Sequence, residues 1–209
     1  MSRLSSFIRA RTAAWRDASH QRESYWHKRQ DSIYLQYVYF IARVVGGDAR
    51  SVIDVGSNGC AYLEWLDWIP RKVSLDMKNP YHSATVEGIR GDFLTTPIDE
   101  RFDLCLCLQV LEHIPEVESF AQKLLGLAPH LIVSVPYKWS AGRPDHIHDP
   151  VDEEKLHSWF GRESNFHILV QEPFKPKPRL VCYYDRDHPD RQIEESEVAG
   201  RRPARVLWA

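Results

Sequence analysis

An α/β fold, doubly wound around a mostly parallel sheet, is what this sequence predicts, on three observations. Runs such as "SVIDV" and "LCLCL" are apolar almost throughout, as in strands covered on both faces. They alternate along the chain with stretches of helical spacing. Near the C-terminus two strand-like runs are joined by Lys175-Pro176-Lys177-Pro178, which suits a hairpin and gives the sheet an antiparallel edge. A chain of 209 residues is long enough for one domain with a full core. The expected division is a helical cap over 1–47, an α/β core over 48–186 and a charged tail over 187–209.

The elements follow in order. "SFIRARTAAWRDASHQRESYWHKRQ" is weakly patterned and predicts one or two helices packed on the domain. Asp31-Ser32 is an N-cap signal and Gly46-Gly47 a stop, with Ile33, Tyr34, Tyr37, Val38, Ile41 and Val44 at helical spacing between them. A strand over 51–55, a short helix near 61–68, a strand over 72–77 and a third over 88–93 come next. The fourth strand covers about 102–108. A helix carrying Val117, Phe120, Leu124 and Leu125 on one side leads to a fifth strand over 131–137. The segment 139–151 is polar and irregular and precedes a helix near 152–160. "FHILVQEPF" and "PRLVCYYD" form the hairpin.

Composition is that of an ordinary soluble protein, with 43% apolar and 27% charged residues. A formal charge of −2 gives no global argument for nucleic-acid or membrane binding. Cys60, Cys105, Cys107 and Cys182 form no CxxC; Cys105 and Cys107 share one strand face and read as small core residues. Reduced thiols, no signal-peptide pattern and no membrane-length apolar run give a cytoplasmic expectation.

The chemistry gathers at the ends of the strands. Gly56-Ser57-Asn58-Gly59 forms a polar elbow after the first strand, and ligands of open α/β sheets bind at such turns. Glycine there permits close backbone approach, and the following helix N-terminus offers free N–H groups. Asp76 ends the second strand 22 positions after Asp54, where an acid would accept from two ribose hydroxyls. Asp92 ends the third, where an adenine edge would lie. The elbow lacks G-x-G-x-x-G, and Asp54 would repel a pyrophosphate. It suits a ligand carrying an ammonium or a cationic sulfonium group.

With "VIDVGSNG", "SLDM", "GDF", "FDLCLCLQVLEHI" and "LIVSVP" in this order, residues 51–136 resemble the class I S-adenosylmethionine-dependent methyltransferases. The resemblance implies a Rossmann-like core and S-adenosyl-L-methionine as cofactor. It places Gly56, Ser57 and Asn58 against the methionine part, Asp76 on the ribose, Asp92 and Phe93 at the adenine, and Gln109 on the inner wall. Asn58 and Cys60 stand where the family usually has glycines; Asn tolerates positive φ.

Two clusters point to a mechanism. Glu112 and His113 follow the fourth strand; Asp145, His146, His148 and Asp149 follow the fifth. In a parallel sheet both loops open on the same edge, so the clusters can meet. Glu112, His113, His146 and His148 are candidate ligands for Mg²⁺ or a similar divalent cation, which would grip a diol and lower a hydroxyl pKa. Histidine His146 or His148, or Asp145, is a candidate base, with or without metal. The Glu-His pair with a later histidine resembles the metal site of small-RNA 2′-O-methyltransferases, except that Gln109 stands where those enzymes have Glu.

Acceptor choice falls to the loops and the cap, rich in Trp15, Tyr25, Trp26, Tyr34, Tyr37, Tyr137 and Trp139. Tyr137 and Trp139, beside the active edge, are the substrate candidates. "DHIHDPVDEEKLHSWF" is similar to bacterial sugar O-methyltransferases, including those of mycobacterial methylmannose polysaccharide synthesis, which implies a saccharide acceptor. RNA 2′-O-methylation, small-molecule methylation by a histidine base without metal, and cofactor binding without methyl transfer are the other readings; the missing basic surface counts against nucleic acid. No membrane partner is expected, and a homo-oligomer is left open.

Overall fold

A computed structural model describes residues 25–173 and 177–193. Its elements are α1 (Ile33–Val45), β1 (Ser51–Val55), β2 (Arg71–Asp76), β3 (Glu87–Arg90), β4 (Leu104–Leu108), α2 (Val117–Leu127), β5 (His130–Pro136), α3 (Glu153–Phe160), β6 (Phe166–Val170) and β7 (Arg179–Asp185). The strands form one seven-stranded sheet in the order β3-β2-β1-β4-β5-β7-β6. The pairs β1–β2, β2–β3, β1–β4 and β4–β5 are parallel; β7 runs antiparallel to both β5 and β6. The expected hairpin is present, and its second strand is inserted into the sheet, leaving β6 at the edge.

Alternation along β4 separates two cores. Leu104, Leu106 and Leu108 pack on the α1 side with Tyr34, Leu35, Val38 and Ile41. Cys105 and Cys107 face α2 and α3 with Phe120, Leu124, Leu156 and Trp159. Among the described residues all four cysteines are free and buried, and no helix is long and apolar enough to cross a membrane.

Several boundaries differ from expectation for physical reasons. In place of a helix after β1 there is a single 3-10 turn, Tyr62–Trp65. Residues 66–70 lead directly into β2, with Pro70 at its threshold, so no room is left for an α-helix. The elbow therefore lacks the helix dipole assumed for it. Strand β3 ends at Arg90 because Asp92 starts a turn, its carbonyl accepting from the N–H groups of Thr95 and Thr96. Ser32 is the N-cap of α1, but its side chain caps nothing. The capping group is the buried Glu172, whose Oε2 and Oε1 accept from the N–H groups of Ile33 and Tyr34 at 2.9 and 3.3 Å. Helix α3 is capped by its own N-cap residue: Asp152 Oδ1 accepts from the Lys155 N–H. Residues 187–193 of the tail are held by Asn165, which donates to the carbonyls of His188 and Arg191 and accepts from Asp185 N–H. Residues 1–24, with most of the predicted cap and Trp15, lie outside the described residues.

Candidate active site

Strand order reverses at β1, so its carboxyl end and that of β4 diverge and open a crevice. A cavity of about 330 Å³ occupies it, within the size range of small-molecule sites. Its floor is the end of β1, Val55 to Asn58; one side is Asp76 and Met77 after β2, with Gly91 to Leu94; the other is Leu108 to Val110. Tyr25, Arg29, Tyr34 and Leu35 close it from the α1 side.

Gly56 has φ +89°, and a Cβ there would collide with the Val110 side chain. Asn58 takes the expected positive φ, +47°. Ser57 is committed inward: its Oγ accepts from Ser74 Oγ at 2.7 Å and from Tyr81 N–H at 3.2 Å. The Asp76 carboxylate accepts backbone N–H groups from Asn58 (2.9 Å), Lys78 and Asn79 (2.7 Å each), which fixes it at the cavity wall with about one lone-pair site, on Oδ2, left over. Asp92 Oδ1 takes Leu94 N–H at 2.9 Å, and the Phe93 ring packs 4.7 Å from that of Phe120. Gln109 lines the wall in a left-handed conformation, φ +58°. Its amide donates to Ser134 Oγ (3.2 Å) and accepts from Arg179 Nε (3.2 Å).

Asp54 is placed differently from the other predicted cofactor residues. It lies beneath the cavity, outside its lining, because strand alternation turns it to the buried face shared with Val52. Neither oxygen has a hydrogen-bond partner. Burial pushes its carboxyl up to about 7, with Tyr62 opposing the rise and Asp76 adding to it.

The loops after β4 and β5 meet as anticipated. Ligand-type atoms of Glu112, His113 and His146 lie within 4.8 Å of one another. His113 Nδ1 donates to the Asp145 carbonyl, and His146 Nδ1 donates to Asp149 Oδ2 at 2.9 Å, with Asp149 sealed from solvent. Each bond leaves the Nε2 of its ring as the electron-pair donor. Glu112 is buried, its Oε2 lacks any partner, and burial pushes its carboxyl up to about 8.

Other predicted residues lie apart from this cluster. His148 turns away, its Nε2 donating to the Ile114 carbonyl at 2.8 Å and its ring packing 5.1 Å from Trp159. Asp145 contributes its carbonyl, not its carboxylate. Tyr137 and Trp139 do not line the cavity. Trp139 stacks on His146 at 5.8 Å and 10°, and its indole N–H donates to the Pro178 carbonyl, so the ring buttresses the histidine. Arg29, Arg179 and Glu172 were not singled out from the sequence. Glu172 reaches Ile33 across 139 positions and Arg179 reaches Gln109 across 70, separations that no local spacing encodes.

No family model and no curated protein matches the sequence. The fold is similar to solved methyltransferases. N-methyltransferase NodS from Bradyrhizobium japonicum WM9, in complex with S-adenosylhomocysteine, aligns with TM-score 0.61 and 13% identity over 77% of this chain and 90% of that one. The 1,6-didemethyltoxoflavin-N1-methyltransferase of Burkholderia thailandensis, with bound S-adenosylhomocysteine and 1,6-didemethyltoxoflavin, aligns with TM-score 0.62 and 15% identity over 88% and 91%. The methyltransferase domain of a bacterial CtHen1 aligns with TM-score 0.52 and 14% identity over 71% and 96%. The architecture is thus the Rossmann-like methyltransferase fold.

Proposed function

We propose that this chain is an S-adenosylmethionine-dependent O-methyltransferase acting on a hydroxyl of a saccharide, assisted by a divalent cation. One observation carries the mechanistic part: Glu112, His113 and His146 converge from two loops, both imidazoles oriented with Nε2 free, beside a buried carboxyl oxygen without a partner.

The cavity residues fit the cofactor. Asp76 is fixed with one acceptor site, on Oδ2, left for a ribose hydroxyl. Gly56 lets the elbow backbone lie close to Val110 at the cavity floor. The Phe93 and Leu94 side offers an apolar seat for adenine. The cofactor supplies the methyl electrophile.

A sugar hydroxyl is a weak acid, so its oxygen needs help in losing a proton as it attacks. Glu112, His113 and His146 would hold the cation, which when bound polarises that hydroxyl and lowers its pKa. Two imidazoles in the set favour Mn²⁺ over Mg²⁺. Asp149 and the Asp145 carbonyl keep the two rings in the required tautomers. The saccharide part is supported by the sequence resemblance alone. Incubation with labelled cofactor and a panel of sugars, phenols and RNA, read by mass spectrometry, should label a sugar hydroxyl. EDTA should cut turnover at least tenfold with S-adenosylhomocysteine binding intact, and Mn²⁺ or Mg²⁺ should restore it. Full activity after thorough chelation would remove the cation; His146→Ala would then test His146 as a base oriented by Asp149.

A further inference from the structure

Next to the Glu112–His113–His146 cluster, but outside the cavity, three positive charges gather on one aromatic ring. Trp139, in the loop after β5, stacks on His146 with centroids 5.8 Å apart. The Arg143 guanidinium lies 4.3 Å from the Trp139 ring centroid, the Lys177 ammonium 5.2 Å and the Arg179 guanidinium 5.6 Å. Arg179 has acceptors of its own, Glu172 at 3.4 Å and Gln109 at 3.2 Å. Arg143 and Lys177 do not: among the described residues neither has a carboxylate partner or a side-chain hydrogen bond. An indole attracts cations through its ring quadrupole, which holds like charges together without neutralising them. Charges of one sign this close repel, and an anion placed among them removes the repulsion.

The group is held in place by the backbone around it. Trp139 donates its indole N–H, and Tyr137 its backbone N–H, to the Pro178 carbonyl at 3.0 Å each, which ties the loop bearing Arg143 to the segment bearing Lys177. The Lys138 N–H donates to the Val151 carbonyl at 2.8 Å and closes the base of that loop. From the cavity the ring contacts run outward: His113 lines it, the His146 ring lies 4.8 Å from that of His113, and Trp139 follows. Trp139, Arg143 and Lys177 line none of the cavity, so they border space that the cofactor would leave free. With two unpaired cations on a chain of formal charge −2, the patch suits one anionic group better than the repeated phosphates of a nucleic acid.

We propose that Arg143 and Lys177 form an anion subsite for the acceptor, binding a phosphate or carboxylate carried by the sugar. This rests on the methyltransferase reading above. Trp139 then serves as the support of the two cations, not as a stacking face for the sugar. The test takes the full chain saturated with S-adenosylhomocysteine, with EDTA present so that no metal bridges an anion to the histidines. Ligand-observed NMR titration compares glucose, glucose 6-phosphate, glucuronate, inorganic phosphate and a short single-stranded RNA, on wild type and on Lys177→Gln, Arg143→Gln and the double variant.

At least one of the two anionic sugars should bind about tenfold or more tightly than glucose and than inorganic phosphate, and the tighter of the two identifies the anion. Arg143→Gln and Lys177→Gln should each weaken it about threefold or more, and the double variant about tenfold or more, with S-adenosylhomocysteine affinity within about twofold. Lys177 is exposed, so Lys177→Gln keeps the test decisive if Arg143→Gln does not fold. The proposal is overturned if neither anionic sugar binds, if glucose or inorganic phosphate binds as tightly, or if the folded variants keep full affinity. RNA that binds more tightly than either sugar and loses that affinity in the variants also overturns it, in favour of a nucleic-acid contact. In all these cases retained S-adenosylhomocysteine binding leaves the methyltransferase reading standing; wild type that fails to bind S-adenosylhomocysteine overturns both.

Discussion

At the end of β1, Asp54 is sealed from solvent with neither oxygen hydrogen-bonded, and that has a thermodynamic consequence. Burial raises its carboxyl from 3.8 to about 7, so the folded state holds the proton more tightly than the unfolded chain. This group costs nothing below about pH 4, an increasing amount from there to about pH 7, and its full penalty above. A rise of that size corresponds to roughly 4 kcal/mol. Asp54→Asn should accordingly be more stable than wild type at pH 8, by up to that amount, and should converge with it near pH 4. Urea unfolding across this range checks it; parallel stability curves for the two proteins would contradict it. The sequence revealed Asp54 as out of place in an apolar strand. Period-two alternation sets it on the Val52 face, while its seat beneath the cavity depends on Tyr62 and the short 3-10 turn packing over it. Gly56 was legible for a simpler reason: a glycine at a strand-to-loop elbow marks close approach, here to Val110.

Among the elements, strands β1, β4 and β5 and helices α2 and α3 were legible because each carries its own periodicity or apolar run. What local pattern could not supply was the partner of each end. Helix α1 begins where Ser32 signals an N-cap, yet the bonds that satisfy its first N–H groups come from Glu172, just beyond β6. Glu172 also pairs with Arg179, so one carboxylate ties α1, the β6–β7 connection and the Gln109 wall together. Removing it leaves two helix N–H groups and a half-buried guanidinium without their acceptor. Glu172→Ala should lower unfolding free energy by about 1–3 kcal/mol, more than the loss of an ordinary N-cap. Ser32→Ala should have almost no effect. Equal effects of the two, measured by urea unfolding, would show that the sequence-local cap matters after all.

Taken as a whole, the molecule follows from the alternation of buried strands and helices, which demands a sheet covered on both faces, with the ligand site at the reversal of strand order. The meeting of Glu112 and His113 with the loop after β5 was equally legible, since parallel neighbours open on one edge. Which of the two histidines would turn inward was not, because His146 is selected by Asp149 and Trp139, and His148 is captured by the Ile114 carbonyl. The central claim, that the cavity is built for S-adenosylmethionine, is tested most directly by calorimetric titration of the purified chain with S-adenosylhomocysteine and, in parallel, NAD. Saturable one-to-one binding of S-adenosylhomocysteine, none of NAD, and a loss of about 1.5–3 kcal/mol in Asp76→Ala is the predicted result. Absence of S-adenosylhomocysteine binding, or affinity untouched by Asp76→Ala, would contradict it.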